Sequence, residues 1–113
     1  MKSDEYIRKE VYQEMTQNGT LTLFEGYYAI PDGMDYDDVR EAFVNRYAQK
    51  INEELHEPYW SARINGNPTE IINNELERFV GLINNSCQEF DLHTIDEQQL
   101  LVLLREKLDK QFV

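Results

Sequence analysis

The sequence predicts an α+β fold of about four helices with a small two- or three-stranded antiparallel sheet, in the order α-β(β)-α-β-α-α. Three observations carry this. Apolar residues recur every four positions over 36–56, β-branched and aromatic residues dominate 20–30, and capping residues stand ahead of the helical stretches. A length of 113 residues predicts a single compact domain, 1–113.

Residues 4–18 read as the first helix. Ser3 is a good N-cap, Asp4 and Glu5 suit the positive end of the helix dipole, and Gly19 suits the position just past the C-cap. Ile7, Val11 and Met15 form its apolar stripe. Residues 20–30 read as strand, with Gly26 as a bulge or a bend between two short strands, and Pro31-Asp32-Gly33 as a turn. The second helix, 36–56, repeats Val39, Phe43, Tyr47, Ile51 and Leu55, and Pro58 is expected to end it.

Residues 59–64 read as a short strand, followed by the dense turn Asn65-Gly66-Asn67-Pro68. Pro68 then opens a third helix with Asn67 as its cap. Ile72, Leu76, Phe79, Val80, Ile83 and Cys87 share one face of it. Thr94-Ile95-Asp96-Glu97 reads as a capping box for a fourth helix, whose run Leu100 to Leu104 is more apolar than one core stripe needs.

Composition excludes several function classes. With 41% hydrophobic and 12% aromatic residues the chain is too apolar for a disordered acidic tail. No apolar run approaches the ~20 residues of a membrane-spanning helix. The net charge of −11 disfavours nucleic acid and anionic membrane surfaces as direct partners, because both need clustered Lys and Arg. Cys87 is alone, so no intrachain disulfide forms, and the N-terminal residues lack the apolar segment of a secretory signal. A cytoplasmic location is the expectation.

Chemical motifs are sparse, and no catalytic residue, metal site or cofactor is expected. Cys87 falls on the apolar face of its helix, where a thiol is structural. His56, His93 and Cys87 lack metal-ligand spacing. The cluster from Asp32 to Asp38 fails the register of a calcium loop and reads as a turn followed by an acid-rich helix start. No phosphate-binding glycine loop and no serine-hydrolase elbow is present. A small-ligand pocket near His56, Tyr59 and Trp60 is a minor alternative.

The distribution of acids is the most informative feature. Glu25, Asp32, Asp35, Asp37 and Asp38 follow one another without an intervening Lys or Arg, and Glu53, Glu54 and Glu57 form a second cluster. Glu10 and Glu14, Asp37 and Glu41, and Glu53 and Glu57 are like-charge pairs four apart, which cost an isolated helix ~0.2–0.5 kcal/mol each. Such spacing resembles that of successive phosphates along a nucleic-acid strand. The expectation is therefore a small acidic protein-interaction module. Its specific form is an inhibitor that mimics nucleic acid and occupies a basic surface of a DNA- or RNA-binding protein. The partner-binding candidates are Asp32, Asp35, Asp37, Asp38, Glu41, Glu53, Glu54 and Glu57. In size, charge and lack of catalytic motifs the chain resembles phage- and plasmid-borne inhibitors of DNA-binding defence enzymes, a likeness that transfers no site residue.

The alternative is a homo-oligomeric assembly protein, with acidity serving solubility only. Its candidate interface is Leu100, Leu101, Leu104 and Leu108 on the fourth helix.

Overall fold

A computed structural model describes residues 2–66 and 68–112; the side chains at 59, 60, 62, 63, 65, 68, 69, 71, 72 and 108–112 lie outside that description. The elements are α1 (Asp4–Gln17), β1 (Thr22–Phe24), β2 (Tyr27–Ala29), α2 (Tyr36–Asn65), α3 (Pro68–Glu89) and α4 (Glu97–Phe112). Four helices and one two-stranded antiparallel sheet make the α+β fold that the sequence predicts.

Local chemistry sets the ends of α1. The Ser3 hydroxyl accepts from the Tyr6 amide at 3.2 Å. At the other end Thr20 N–H reaches the Met15 carbonyl and Gly19 N–H reaches the Thr16 carbonyl, the paired bonds of a Schellman motif. Gly19 sits at φ +78°, a conformation that a side chain disfavours.

The chain then enters the hairpin, whose register pairs Thr22 with Ala29, Leu23 with Tyr28 and Phe24 with Tyr27. Glu25 and Gly26 make the two-residue turn, with φ of 49° and 84°. Two positive φ values match the twist of the flanking strands, so Gly26 is the bend rather than a bulge.

Asp35 caps α2: its Oδ1 accepts from the Asp37 amide at 2.9 Å, and its carbonyl accepts from the Val39 amide. Two expectations fail along this helix. It does not stop before Pro58, and 59–64 is not a strand, because α2 runs on to Asn65. A proline inside a helix removes one hydrogen bond, at ~3 kcal/mol. Burial of Ile51 and Leu55 just ahead of it, and packing of α2 along α3, outweigh that loss.

The fourth helix also starts later than the capping box implies. Asp96, not Thr94, is the cap: its Oδ1 accepts from the Gln98 and Gln99 amides at 2.9 and 3.3 Å. The proposed cap of α3, Asn67, lies outside the described residues.

The core lies between the helices. Ile7, Val11 and Met15 of α1 meet Val39, Phe43, Tyr47, Ile51 and Leu55 of α2, together with Leu76, Phe79, Val80, Ile83 and Cys87 of α3. Leu100 and Leu104 of α4 close it. Tyr12 is the hub of an aromatic cluster, packing edge-on against Tyr28 of the hairpin, Phe43 and Phe90 with ring centroids 5.3–5.7 Å apart. Ile72, expected on this face, has its side chain outside the description.

Candidate interaction surface

The basic residues decide which acids face outward. Lys50 projects from α2 into the gap beside α1 and contacts Glu14 at 2.6 Å, Glu10 at 3.4 Å and Glu53 at 3.7 Å. Lys2 holds the other side of Glu10, and Arg46 approaches Glu14 at 3.8 Å. The like-charge pair on α1 is thus neutralised from a neighbouring helix. Burial would raise the Glu10 pKa, but the Lys2 hydrogen bond and the nearby Lys50 charge prevail and lower it. Burial pulls the Lys50 pKa down, but the Glu14 hydrogen bond and the charges of Glu14, Glu53 and Glu10 together raise it.

Arg78 does the same work between α3 and its neighbours. It pairs with Asp4 of α1, Glu75 of α3 and Glu54 of α2, and it donates to the Lys2 carbonyl at 2.7 Å. Glu54 is accordingly turned inward. Its oxygens are buried, and the Arg78 guanidinium 3.6 Å away is a charge contact rather than a hydrogen bond. This removes Glu54 from the candidate partner-binding residues, because a partner cannot reach a carboxylate sealed between two helices. Arg8 pairs with Glu89, and Arg40 with Asp37.

What remains is a reduced acidic surface. Asp32, Asp35, Asp37, Asp38, Glu41, Glu53 and Glu57 are all exposed. Asp35 is committed to capping α2, Asp37 is paired with Arg40, and Glu53 with Lys50. Asp32, Asp38, Glu41 and Glu57 make no ion pair among the described residues. The two clusters do not form one row. Along α2, Glu41 and Glu53 are twelve residues apart, about 18 Å along the axis and about a third of a turn around it. The outward positions between them are the neutral, exposed Asn45 and Gln49.

The candidate oligomer residues are placed differently from the expectation. Leu100 and Leu104 are fully buried in the intramolecular core and Leu101 is half-buried, because α4 lies in the groove between α2 and α3. A second chain cannot use side chains that the fold already covers. Leu108 has its side chain outside the description. Among its described side chains, the apolar residues that α4 exposes are Val102 and Leu103. Leu103 borders an open recess of about 370 Å³ against α2, with Glu41, Val44, Asn45, Ile95 and Lys107.

Tyr12, Tyr47, Ser86 and Glu89 form one connected polar circuit at the junction of α1, α2 and α3. Ser86 Oγ donates to the Leu82 carbonyl at 3.0 Å, which leaves it to accept from the Tyr47 hydroxyl at 2.8 Å. The Tyr12 hydroxyl, 3.2 Å from Ser86, donates to Glu89 at 2.6 Å. Burial, then the Glu89 carboxylate, push the Tyr12 pKa up to about 12. Burial also raises the Cys87 thiol, with Arg40 opposing it weakly. The serine proton is committed to a carbonyl and the thiol is held protonated, so this circuit clamps α1, α2 and α3 together. Among the described residues no group of three His, Cys, Asp or Glu could hold a metal. His56 and His93 are exposed, and the side chains of Tyr59 and Trp60 lie outside the description. No described helix is long and apolar enough to cross a membrane.

Sequence reasoning placed two short strands around Gly26 but missed that their apolar side chains would stand outside the core. Leu23, Phe24 and Tyr27 are 55%, 66% and 77% exposed, although their residue types suit core or strand positions. The available signal was the size of the sheet: a lone hairpin can cover only one of its two faces. Compared with models of known families, with curated proteins and with solved structures, the chain matches none.

Proposed function

We propose that this chain is a small acidic protein-interaction module that binds a basic surface of another protein, acting as an inhibitor by standing in for nucleic acid. The observation that carries this reading is the fate of the charges. The bases Arg8, Arg46, Lys50 and Arg78 are engaged across helices and Lys2 pairs with Glu10, while Asp38 and Glu41 at the start of α2 and Glu57 further along face outward without a counter-ion among the described residues. An unneutralised field of one sign steers a basic partner and speeds its association at low salt. Two separated clusters about 18 Å apart fit a groove that contacts nucleic acid at two places, rather than one that tracks a continuous strand.

The test is capture from a lysate of the source cells at low and at high salt, comparing the natural chain with the triple variant D37K/D38K/E41K. The reading expects a nucleic-acid-binding protein held by the natural chain at low salt, released at high salt, and not held by the folded variant. Undiminished capture by the variant would contradict it. A homo-oligomer built on α4 is the second reading, favoured by the exposure of Val102 and Leu103 at 58% and 37%. Light scattering that shows a monomer at high concentration would remove it.

A further inference from the structure

We infer that the tip of the β1–β2 hairpin is a preformed apolar anchor: Phe24 and Tyr27 enter an apolar cleft on a protein partner whose rim carries Lys and Arg. This deepens the reading of a basic protein partner and rests on it. The register places Phe24 directly opposite Tyr27, on the face of the hairpin away from the Leu23–Tyr28 pair. Tyr28 turns that second face toward Tyr12 of α1, so the Phe24–Tyr27 pair faces away from the molecule. No other part of the described chain covers it, and Phe24 and Tyr27 are among its most exposed large apolar side chains. Adjacent exposed aromatics on a soluble domain mark a contact site.

The anchor is rigid at its base. Leu21 is buried, the Schellman bonds at Met15 and Thr16 fix the entry to β1, and Tyr28 is packed on Tyr12. Side chains presented on such a support lose little freedom on binding. Strands of three residues offer too short an edge for strand addition, so recognition runs through the side chains.

Charge selects the occupant. Glu25 stands at the tip itself, and Asp32, Asp35, Asp37 and Asp38 follow with no Lys or Arg from 25 to 39. Glu25 holds a left-handed conformation, φ 49°, where Asn or Gly is the usual residue, so a carboxylate is kept at the tip against local preference. A second copy of this chain would bring these acids against one another, and an anionic lipid surface would repel them. The Phe24–Tyr27 pair with the Glu25 carboxylate in the turn between them fits an apolar cleft with bases at its rim, the core-and-rim arrangement of protein interfaces.

The experiment follows backbone amide resonances of the full chain during titration with an amphipathic Lys/Leu helical peptide, its Glu/Leu counterpart, and poly-lysine. The inference expects residues 22–29 to shift with the Lys/Leu peptide, and not with the Glu/Leu peptide or poly-lysine. It also expects F24S/Y27S to weaken Lys/Leu binding at least tenfold with an unchanged melting temperature. Shifts confined to the α2 acids would overturn the anchor while leaving the acidic surface standing. No shift with any cationic probe would overturn both. Hairpin shifts with the Glu/Leu peptide, with neutral phosphatidylcholine vesicles, or on raising protein concentration alone would overturn the basic-protein occupant in favour of any apolar surface, a lipid, or a second copy. If the double variant proves unfolded, mapping on the natural chain decides alone.

Discussion

Glu10 and Glu14 on α1, and Asp37 and Glu41 on α2, are the same motif in sequence: two acids four residues apart on a helix. The fold treats them oppositely. Lys50 and Lys2 close on the first pair from two directions, so it becomes part of the α1–α2 contact. The second pair has Arg40 beside Asp37 only, and Glu41 stays exposed without a counter-ion among the described residues. A local like-charge pair therefore says nothing about partners until the opposing helix is known. Only the charge left over after internal pairing is available for recognition.

Lys50 carries most of the difference between the two acid pairs. K50A removes the cation that both α1 acids share, and should cost about 3 kcal/mol, the low end for a mostly buried pair that loses one partner. Urea unfolding checks this, and a loss below 1 kcal/mol would mean that water already screens the cluster. R78A comes next, at about 2 kcal/mol, because it strands the inward Glu54 and frees the Lys2 carbonyl. That variant should also speed amide exchange at the start of α1.

Titration sharpens the contrast. The Glu10 pKa is lowered in the fold, so its stabilisation is present above the ordinary value of 4.5 and is lost as pH falls through the lower folded value. Lys50 and Tyr12 are raised, so their stabilisation is complete below the ordinary values of 10.5 and 10.0. It is lost as pH rises, for Tyr12 through about 12. Melting temperature should accordingly hold near neutrality and fall on both sides, with Y12F showing a shallower alkaline decline. The smallest effect belongs to the hairpin. E25G exchanges a strained left-handed glutamate for a residue that prefers the turn, and should add about 0.5–1 kcal/mol.

Those elements whose signals are local were legible in the sequence. Ser3, Gly19, the Pro31 turn and the four-residue repeat of α2 depend on neighbours in the chain, and each is found where its chemistry places it. What failed depends on distant contacts. Pro58 reads as a stop, but packing of α2 on α3 carries the helix through it. Thr94 and Glu97 match the capping-box spacing, yet Asp96 stands closer to the helix start and takes the amides. The candidate surface was half legible. Its acids could be named, but not that Glu54 would be turned onto Arg78, that Leu100 and Leu104 would be consumed by the core, or that Phe24 and Tyr27 would be left outside.

Acids with one sequence signature thus take two places in this fold: Glu10 and Glu14 hold helices together, and Asp38 and Glu41 stay at the surface. Urea unfolding of E10Q/E14Q beside D38N/E41Q tests this division most directly. A loss of about 2 kcal/mol is expected for the first, which strips Lys50 of its closest carboxylates, and a change within about 0.5 kcal/mol for the second. Equal losses in the two variants would contradict it.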